Sequence, residues 1–237
     1  ARSTAESLAF AKTDAQRDEL VHQIQLELKR LNRLITDVSK ASRLDAELAR
    51  QHIEPVALVT VLENVVAAMR ERATSRGCNL ALDIGGGISS PSSFIVEGND
   101  SRIGQVLTNL VDNAISFSPN DGQVLLSARR SGPNVEIAVE DDGPGIDEDK
   151  LSTIFDRFYT YRPTANSSRG DNSGLGLSIS REIVKAHGGE IRAENRYASG
   201  RSARQAADRL GARFVVTFPA ARTTPITRGG HGLGRRS

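Results

Sequence analysis

The chain has 237 residues, a formal net charge of +2 from 31 basic and 29 acidic side chains, and one cysteine. That length holds one good-sized domain with an appendage, or two small ones. Balanced charge supplies no bulk attraction to nucleic acid or an anionic membrane. The lone Cys78 excludes an intrachain disulfide framework and a cysteine-rich zinc site, as befits a reducing cytosol.

No apolar run reaches the roughly 18 to 20 residues of a membrane-spanning helix, and the N-terminus lacks the zones of a signal peptide. The chain as given therefore reads as soluble, and its opening at Ala1, without methionine and within a helical stretch, predicts a fragment. The stretch through Lys12, with Leu8 and Phe10, reads as the end of one helix, and Asp14 as the N-cap of the next. From there Val21, Ile24, Leu28, Leu31, Ile35 and Val38 step by 3, 4, 3, 4 and 3, the spacing of a coiled-coil seam, so a partner helix is expected.

Pro55 marks a break, and a second domain is expected to begin near Glu54. Residues 56–69 read as a mostly apolar helix, residues 79–84 as a strand, and residues 85–93 as a glycine- and serine-rich loop. Cys78, between the first two, reads as a small buried apolar residue. Residues 94–97 form a short strand candidate. Asp100 or Ser101 is the expected cap of a helix whose Ile103, Val106, Leu107, Leu110, Val111 and Ala114 share one face. Residues 124–129 and 135–140 predict a hairpin around Ser131, Gly132, Pro133 and Asn134. Asp147, Glu148 and Asp149 suit the start of a short helix. The polar stretch 160–173 predicts a mobile loop, residues 175–187 a helix ended by Gly188 and Gly189, and residues 190–194 and 212–218 two strands. The stretch 197–210 is too charged for a central strand and reads as an excursion, and residues 221–237 as a disordered tail.

Three places could carry chemistry. Asn109 and Asn113 lie four apart, hence on one helix face, where two amide oxygens can serve a hard cation such as magnesium; taken alone they read more simply as surface asparagines. Asp141-Asp142-Gly143-Pro144-Gly145-Ile146 follows an apolar strand and delivers a carboxylate beside backbone that a ligand can approach closely, although it could be only a tight turn. Gly174-Leu175-Gly176-Leu177 precedes a helix, whose free N–H groups and positive dipole end favour phosphate.

In this order and spacing, the three elements resemble the histidine kinase branch of the GHKL (Bergerat) ATPase superfamily. Asn109-Leu-Val-Asp-Asn113-Ala is similar to its asparagine box, Asp141-x-Gly143-Pro-Gly145-Ile to its first glycine box, and Ile154-Phe155-Asp156-Arg157-Phe158-Tyr159 to its phenylalanine box. Gly174-Leu-Gly176-Leu-Ser-Ile is similar to its second glycine box. The Ser-Phe-Ser-Pro and Phe-Tyr-Thr-Tyr-Arg-Pro wording most resembles the ChvG/ExoS-like sensor kinases of alphaproteobacteria.

The resemblance implies a two-layer α/β sandwich over residues 52–220, preceded at residues 1–51 by part of a dimerising helical hairpin. It implies ATP and Mg2+ as cofactors. Asn113, helped by Asn109, would hold the metal, Asp141 would read adenine, and Phe117 would lie over the adenosine. Gly143, Gly145, Ile146, Ser173, Gly174, Leu175, Gly176 and Leu177 would line the nucleotide, with residues 160–173 as a lid. Two positions depart from the pattern: Ser116 and Thr160 stand where many relatives carry a cation, which leaves Arg162, then Arg169, as candidate phosphate ligands.

Relatives phosphorylate a histidine within a His-Glu or His-Asp dipeptide, and His22, His52, His187 and His231 all lack a following acid. The resemblance therefore implies an acceptor upstream of residue 1, a fragment that binds ATP without autophosphorylating, and no catalytic residue of its own. It further implies a homodimer, a response-regulator receiver domain as partner, no nucleic acid, and a cytoplasmic position in a membrane-anchored parent. The alternatives are a nucleotide-binding or dimerisation module without transfer, or another GHKL ATPase.

Overall fold

The computed structural model describes residues 20–21, 24–25, 53–85, 94–157, 159, 174–197 and 209–221. Most of the predicted seam, the stretches 86–93, 160–173 and 198–208, and residues 222–237 lie outside the described residues, as do Phe158, Thr160, Arg162, Arg169 and Ser173. Leu20, Val21, Ile24 and Gln25 are helical.

Strand β1 (Glu54–Ala57) leads into helix α1 (Leu58–Ser75), and β2 (Asn79–Ile84) follows. Next come β3 (Ile95–Gly98), α2 (Asp100–Phe117) and the pair β4 (Gln123–Ser131) and β5 (Asn134–Asp141). Two short 3-10 turns, Glu148–Lys150 and Thr153–Phe155, precede α3 (Gly176–Ala186), β6 (Glu190–Tyr197) and β7 (Arg209–Pro219). Five strands make one sheet in the order β2-β4-β5-β7-β6, with β2 parallel to β4 and the remaining pairs antiparallel. Strands β1 and β3 form a separate two-stranded sheet.

Helices α1, α2 and α3 pack side by side, and each also packs against strands of the large sheet, which makes the expected helix-on-sheet arrangement. Alternation does the work on the sheet side: Val135, Ile137 and Val139 of β5 and Ala212, Phe214, Val216 and Phe218 of β7 enter the shared core. On α2 all six predicted stripe residues are buried, and Ile115 joins them. Each fully buried leucine or isoleucine among these contributes roughly 1.5–3 kcal/mol of transfer free energy.

Several boundaries differ from the sequence expectation, for identifiable reasons. The first helix starts at Leu58 rather than residue 56, because Val56 and Ala57 pair with Val96 and Ile95 in the small sheet. The cap of α2 is Asn99, not Asp100 or Ser101: its Oδ1 accepts from the Arg102 N–H at 3.0 Å, while Asp100 adds charge to the first turn. The short helix expected at the acidic run 147–149 is a 3-10 turn of three residues, Glu148–Lys150, with Asp147 at its N-cap. Strands β6 and β7 reach Tyr197 and Arg209, which pair with each other, so the excursion is shorter than expected. Charge is tolerated on β6 because it is an edge strand whose Arg192 and Arg196 reach Glu136 and Glu140. Cys78 is buried, as expected, and burial pushes its thiol up.

Candidate functional site

Helix α2 carries Asn109, Asn113, Ser116 and Phe117 along one flank of its buried stripe. Asn109 and Phe117 are eight positions apart, about 12 Å along the axis. At the Asn109 end lies the start of α3: the Asn109 amide donates to the Gly176 carbonyl at 3.3 Å and to Ser180 Oγ at 3.4 Å. Since a carbonyl can only accept, the nitrogen of Asn109 is turned to α3, and its oxygen is the end with ligating capacity. A Cβ on Gly176 would sit 3.8 Å from the Asn109 amide, so this glycine lies directly against the asparagine face. Leu175 precedes α3 with no side-chain cap on its first turn, the arrangement that suits an anion. Gly174 takes φ +73°, where other residues are strained. Leu175 is buried at 1% exposed, and Leu177 packs against the core, so both leucine side chains anchor the start of α3.

The other end is built by the turn after β5. Along β5 the apolar residues alternate through Val139, and Asp141 continues that parity toward the helices. Its side chain is 3% exposed, and its Oδ1 accepts from the N–H of Gly143 at 2.8 Å and of Ala212 at 3.1 Å. Asp142 points the other way, accepting from Gln123 N–H and pairing with Arg196, each at 2.9 Å. The alternation along Val135-Glu136-Ile137-Ala138-Val139-Glu140 continues into these two acids and puts them on opposite faces. A Cβ on Gly143 would sit 2.8 Å from Asp141 Oδ1 and 3.0 Å from the Phe117 carbonyl, so a side chain there would fill the space between turn and helix. Phe117, 40% exposed, presents an aromatic ring at this end.

Thus the predicted residues Asn109, Gly174 and Gly176 gather at one end, and Phe117, Asp141 and Gly143 at the other, while Asn113 lies on the helix between them. The donor set fits a nucleotide with a hard cation: amide oxygens beside an uncapped helix start, and a buried carboxylate beside an exposed ring. Gly145 and Ile146 lie in the turn itself, and Arg162 and Ser173 lie outside the described residues. The phenylalanine-box residues Phe155 and Asp156 are tied to α3 by Arg181, whose guanidinium lies 6.0 Å from the Phe155 ring centre and 3.5 Å from Asp156 Oδ1. His187 is structural: its Nε2 accepts from Asn99 N–H at 3.1 Å, which puts its proton on Nδ1, facing the Ile183 carbonyl at 2.7 Å.

Sequence reasoning missed Asn195 and Arg196, which hold the turn from β6. Asn195 exchanges two 2.7 Å hydrogen bonds with the backbone of Ile146, and Arg196 donates to the Asp141 carbonyl at 2.7 Å. The only signal was the polar run Glu194-Asn195-Arg196-Tyr197 continuing a strand.

Burial raises the pKa of Asp141 above its ordinary 3.8, against the opposing pull of the Ala212 and Gly143 N–H groups and of Arg196. The folded chain therefore holds this proton more tightly than the unfolded chain does. The associated stability is fully present below the unfolded pKa and is lost as pH rises through the folded one. Urea unfolding across that window should show the wild type losing stability relative to Asp141→Asn as pH rises; a difference flat with pH would contradict the assignment.

The family described as histidine kinase-, DNA gyrase B-, and HSP90-like ATPase matches residues 98–222. The sensor protein ChvG of Agrobacterium fabrum (strain C58 / ATCC 33970) is 42% identical over 229 residues, covering 94% of this chain and 36% of that protein. This chain thus spans little more than a third of that relative's length. Among solved structures, the catalytic domain of histidine kinase ThkA superposes with a TM-score of 0.57 at 26% identity, covering 71% of this chain and 96% of that one. Full-length ShkA, solved in complex with AMPPNP, gives a TM-score of 0.65 at 26% identity, covering 90% of this chain and 41% of that one.

Proposed function

Because the chain belongs to the histidine kinase-, DNA gyrase B-, and HSP90-like ATPase family, we propose that it binds Mg-ATP along α2 as the catalytic portion of a two-component sensor kinase. In this reading, the γ-phosphate passes to a histidine outside these 237 residues and then to a response-regulator aspartate. The observation that carries it is the placement of α2 between two glycine segments, with Asn109 against Gly176 and Phe117 against Gly143. Asp141 accepts the adenine amine, and Phe117 covers the base. The uncapped start of α3 receives phosphate, and Asn113 and Asn109 offer oxygens to Mg2+. Bound there, the metal would neutralise phosphate charge. Gly145, Ile146, Leu175 and Leu177 contribute as wall and backbone, and Arg162 and Ser173 are assigned on sequence alone.

No described helix is long and apolar enough to cross a membrane. We place this portion on the cytoplasmic side of a membrane-anchored parent, dimerising through residues 1–51, with residues 52–220 as the nucleotide domain and residues 221–237 as a tail. The ShkA complex with AMPPNP supports the nucleotide assignment by likeness.

Two measurements test the proposal. Joining the chain to an acceptor-bearing helical hairpin and incubating it with Mg-ATP should yield acid-labile phosphate on the acceptor. Nucleotide binding without transfer would instead favour an inert module, a reading motivated by Ser116 and Thr160, where many relatives carry cations. Separately, Asn113→Ala should reduce the enhancement of ATP binding by Mg2+ on the order of tenfold and leave metal-free binding unchanged. Calorimetry with and without EDTA checks it, and an unaltered metal dependence would remove Asn113 from the metal site.

A further inference from the structure

The turn from Asp141 to Glu148 contains two glycines and a proline, and its only regular structure is the end of β5 and the first residue of a 3-10 turn. Left alone, such a segment would fluctuate, and the direction of the Asp141 carboxylate with it. Three consecutive residues of β6 hold it. Asn195 accepts from the Ile146 N–H and donates to the Ile146 carbonyl, both at 2.7 Å, so its carboxamide pairs with Ile146 as a neighbouring strand would. The same amide donates to Glu148 Oε1 at 3.1 Å, and Tyr197, two residues on, donates its hydroxyl to the same oxygen.

Arg196 grips the other end of the turn. Its Nη1 donates to the Asp141 carbonyl at 2.7 Å and to Asp142 Oδ1 at 2.9 Å, and its Nε lies 3.2 Å from Glu140. Gly145 is shaped to the clamp: at φ +73°, a Cβ there would meet Asn195 Oδ1 at 2.7 Å. One strand thereby fixes both legs of the turn, one through a neutral amide and the other through a guanidinium.

We propose that Asn195 and Arg196 are positioning residues that hold the adenine-reading carboxylate of Asp141 in place, and so set the preference for adenine over guanine. This rests on the nucleotide reading above. Among the described residues the Asn195 carboxamide hydrogen-bonds to the backbone of Ile146 and to the Glu148 side chain, so it acts through the turn and not on the phosphates.

The test uses the full 237-residue chain, calorimetry with Mg-ATP and with Mg-GTP, and urea midpoints for every variant. Asn195→Ala should weaken Mg-ATP binding about tenfold and leave Mg-GTP binding unchanged, so that the ATP:GTP ratio falls. Arg196→Met, which keeps the aliphatic stem but removes the donors, should lower the same ratio. Arg192→Ala, on the same strand and paired with Glu136 at 3.6 Å, should leave both affinities unchanged. An unchanged ratio in Asn195→Ala and Arg196→Met, or an equal loss for both nucleotides that follows a falling urea midpoint, would overturn the inference while leaving ATP binding standing. A wild-type chain that binds neither nucleotide would overturn the nucleotide reading and this inference with it.

Discussion

Replacing Asp141 by asparagine should weaken Mg-ATP binding on the order of a hundredfold while leaving the domain folded. Asparagine is nearly isosteric and retains an oxygen for the N–H groups of Gly143 and Ala212, so the local backbone keeps both partners. What it loses is the second carboxylate oxygen, which it replaces with an N–H2 donor. In a site this buried, a donor facing the exocyclic amine of adenine leaves two donors opposed, without water to relieve them. Burial also raises the pKa of Asp141, so the wild-type carboxylate is costly to ionise and correspondingly sensitive to a partner that donates to it. Calorimetry with Mg-ATP, alongside urea unfolding, separates binding from folding. Unchanged affinity would remove Asp141 from the nucleotide site.

The largest stability effect is expected at Gly211. Its φ of +146° lies in a region that only glycine occupies readily, and a Cβ built there would overlap the Asp141 carbonyl oxygen. Gly211→Ala must therefore push β7 away from the end of β5, breaking the contact of Ala212 N–H with the Asp141 carboxylate and disturbing the carbonyl that Arg196 holds. The expected cost is about 3 kcal/mol or more in urea unfolding, together with loss of nucleotide binding. Gly132, in the β4–β5 turn, is the natural control. Its φ is +57°, but a Cβ there would meet nothing within 4 Å. Gly132→Ala should cost only about 1 kcal/mol and leave binding intact. Equal costs at the two glycines would show that backbone conformation alone, and not the contact with Asp141, sets the requirement at Gly211.

Much of the described fold was legible without coordinates. The stripe on α2, the β4–β5 hairpin around Gly132 and Pro133, and the glycine stop after α3 all follow from local periodicity and turn chemistry, and each stands where expected. What failed was non-local. Strand β1 exists because Val56 meets Val96, and nothing in the four residues Glu54–Ala57 announces that pairing. The cap of α2 moved to Asn99, whose backbone N–H is also taken by His187 from the far end of α3. Local propensity cannot see a partner 88 residues away.

By itself the sequence determined the family and the order of its boxes. The resemblance singled out Asp141 over Asp142, and the alternation along β5, whose period of two carries from Val135 to residue 141, agrees with that choice. Only the tertiary structure decided how that carboxylate is held. Asn195 reaches Ile146 across 49 positions, Arg196 reaches Asp141 across 55, and Gly211 leaves the space that the Asp141 carbonyl occupies. These contacts depend on β6 and β7 folding back beside the end of β5, an outcome of global packing that no local window of residues encodes.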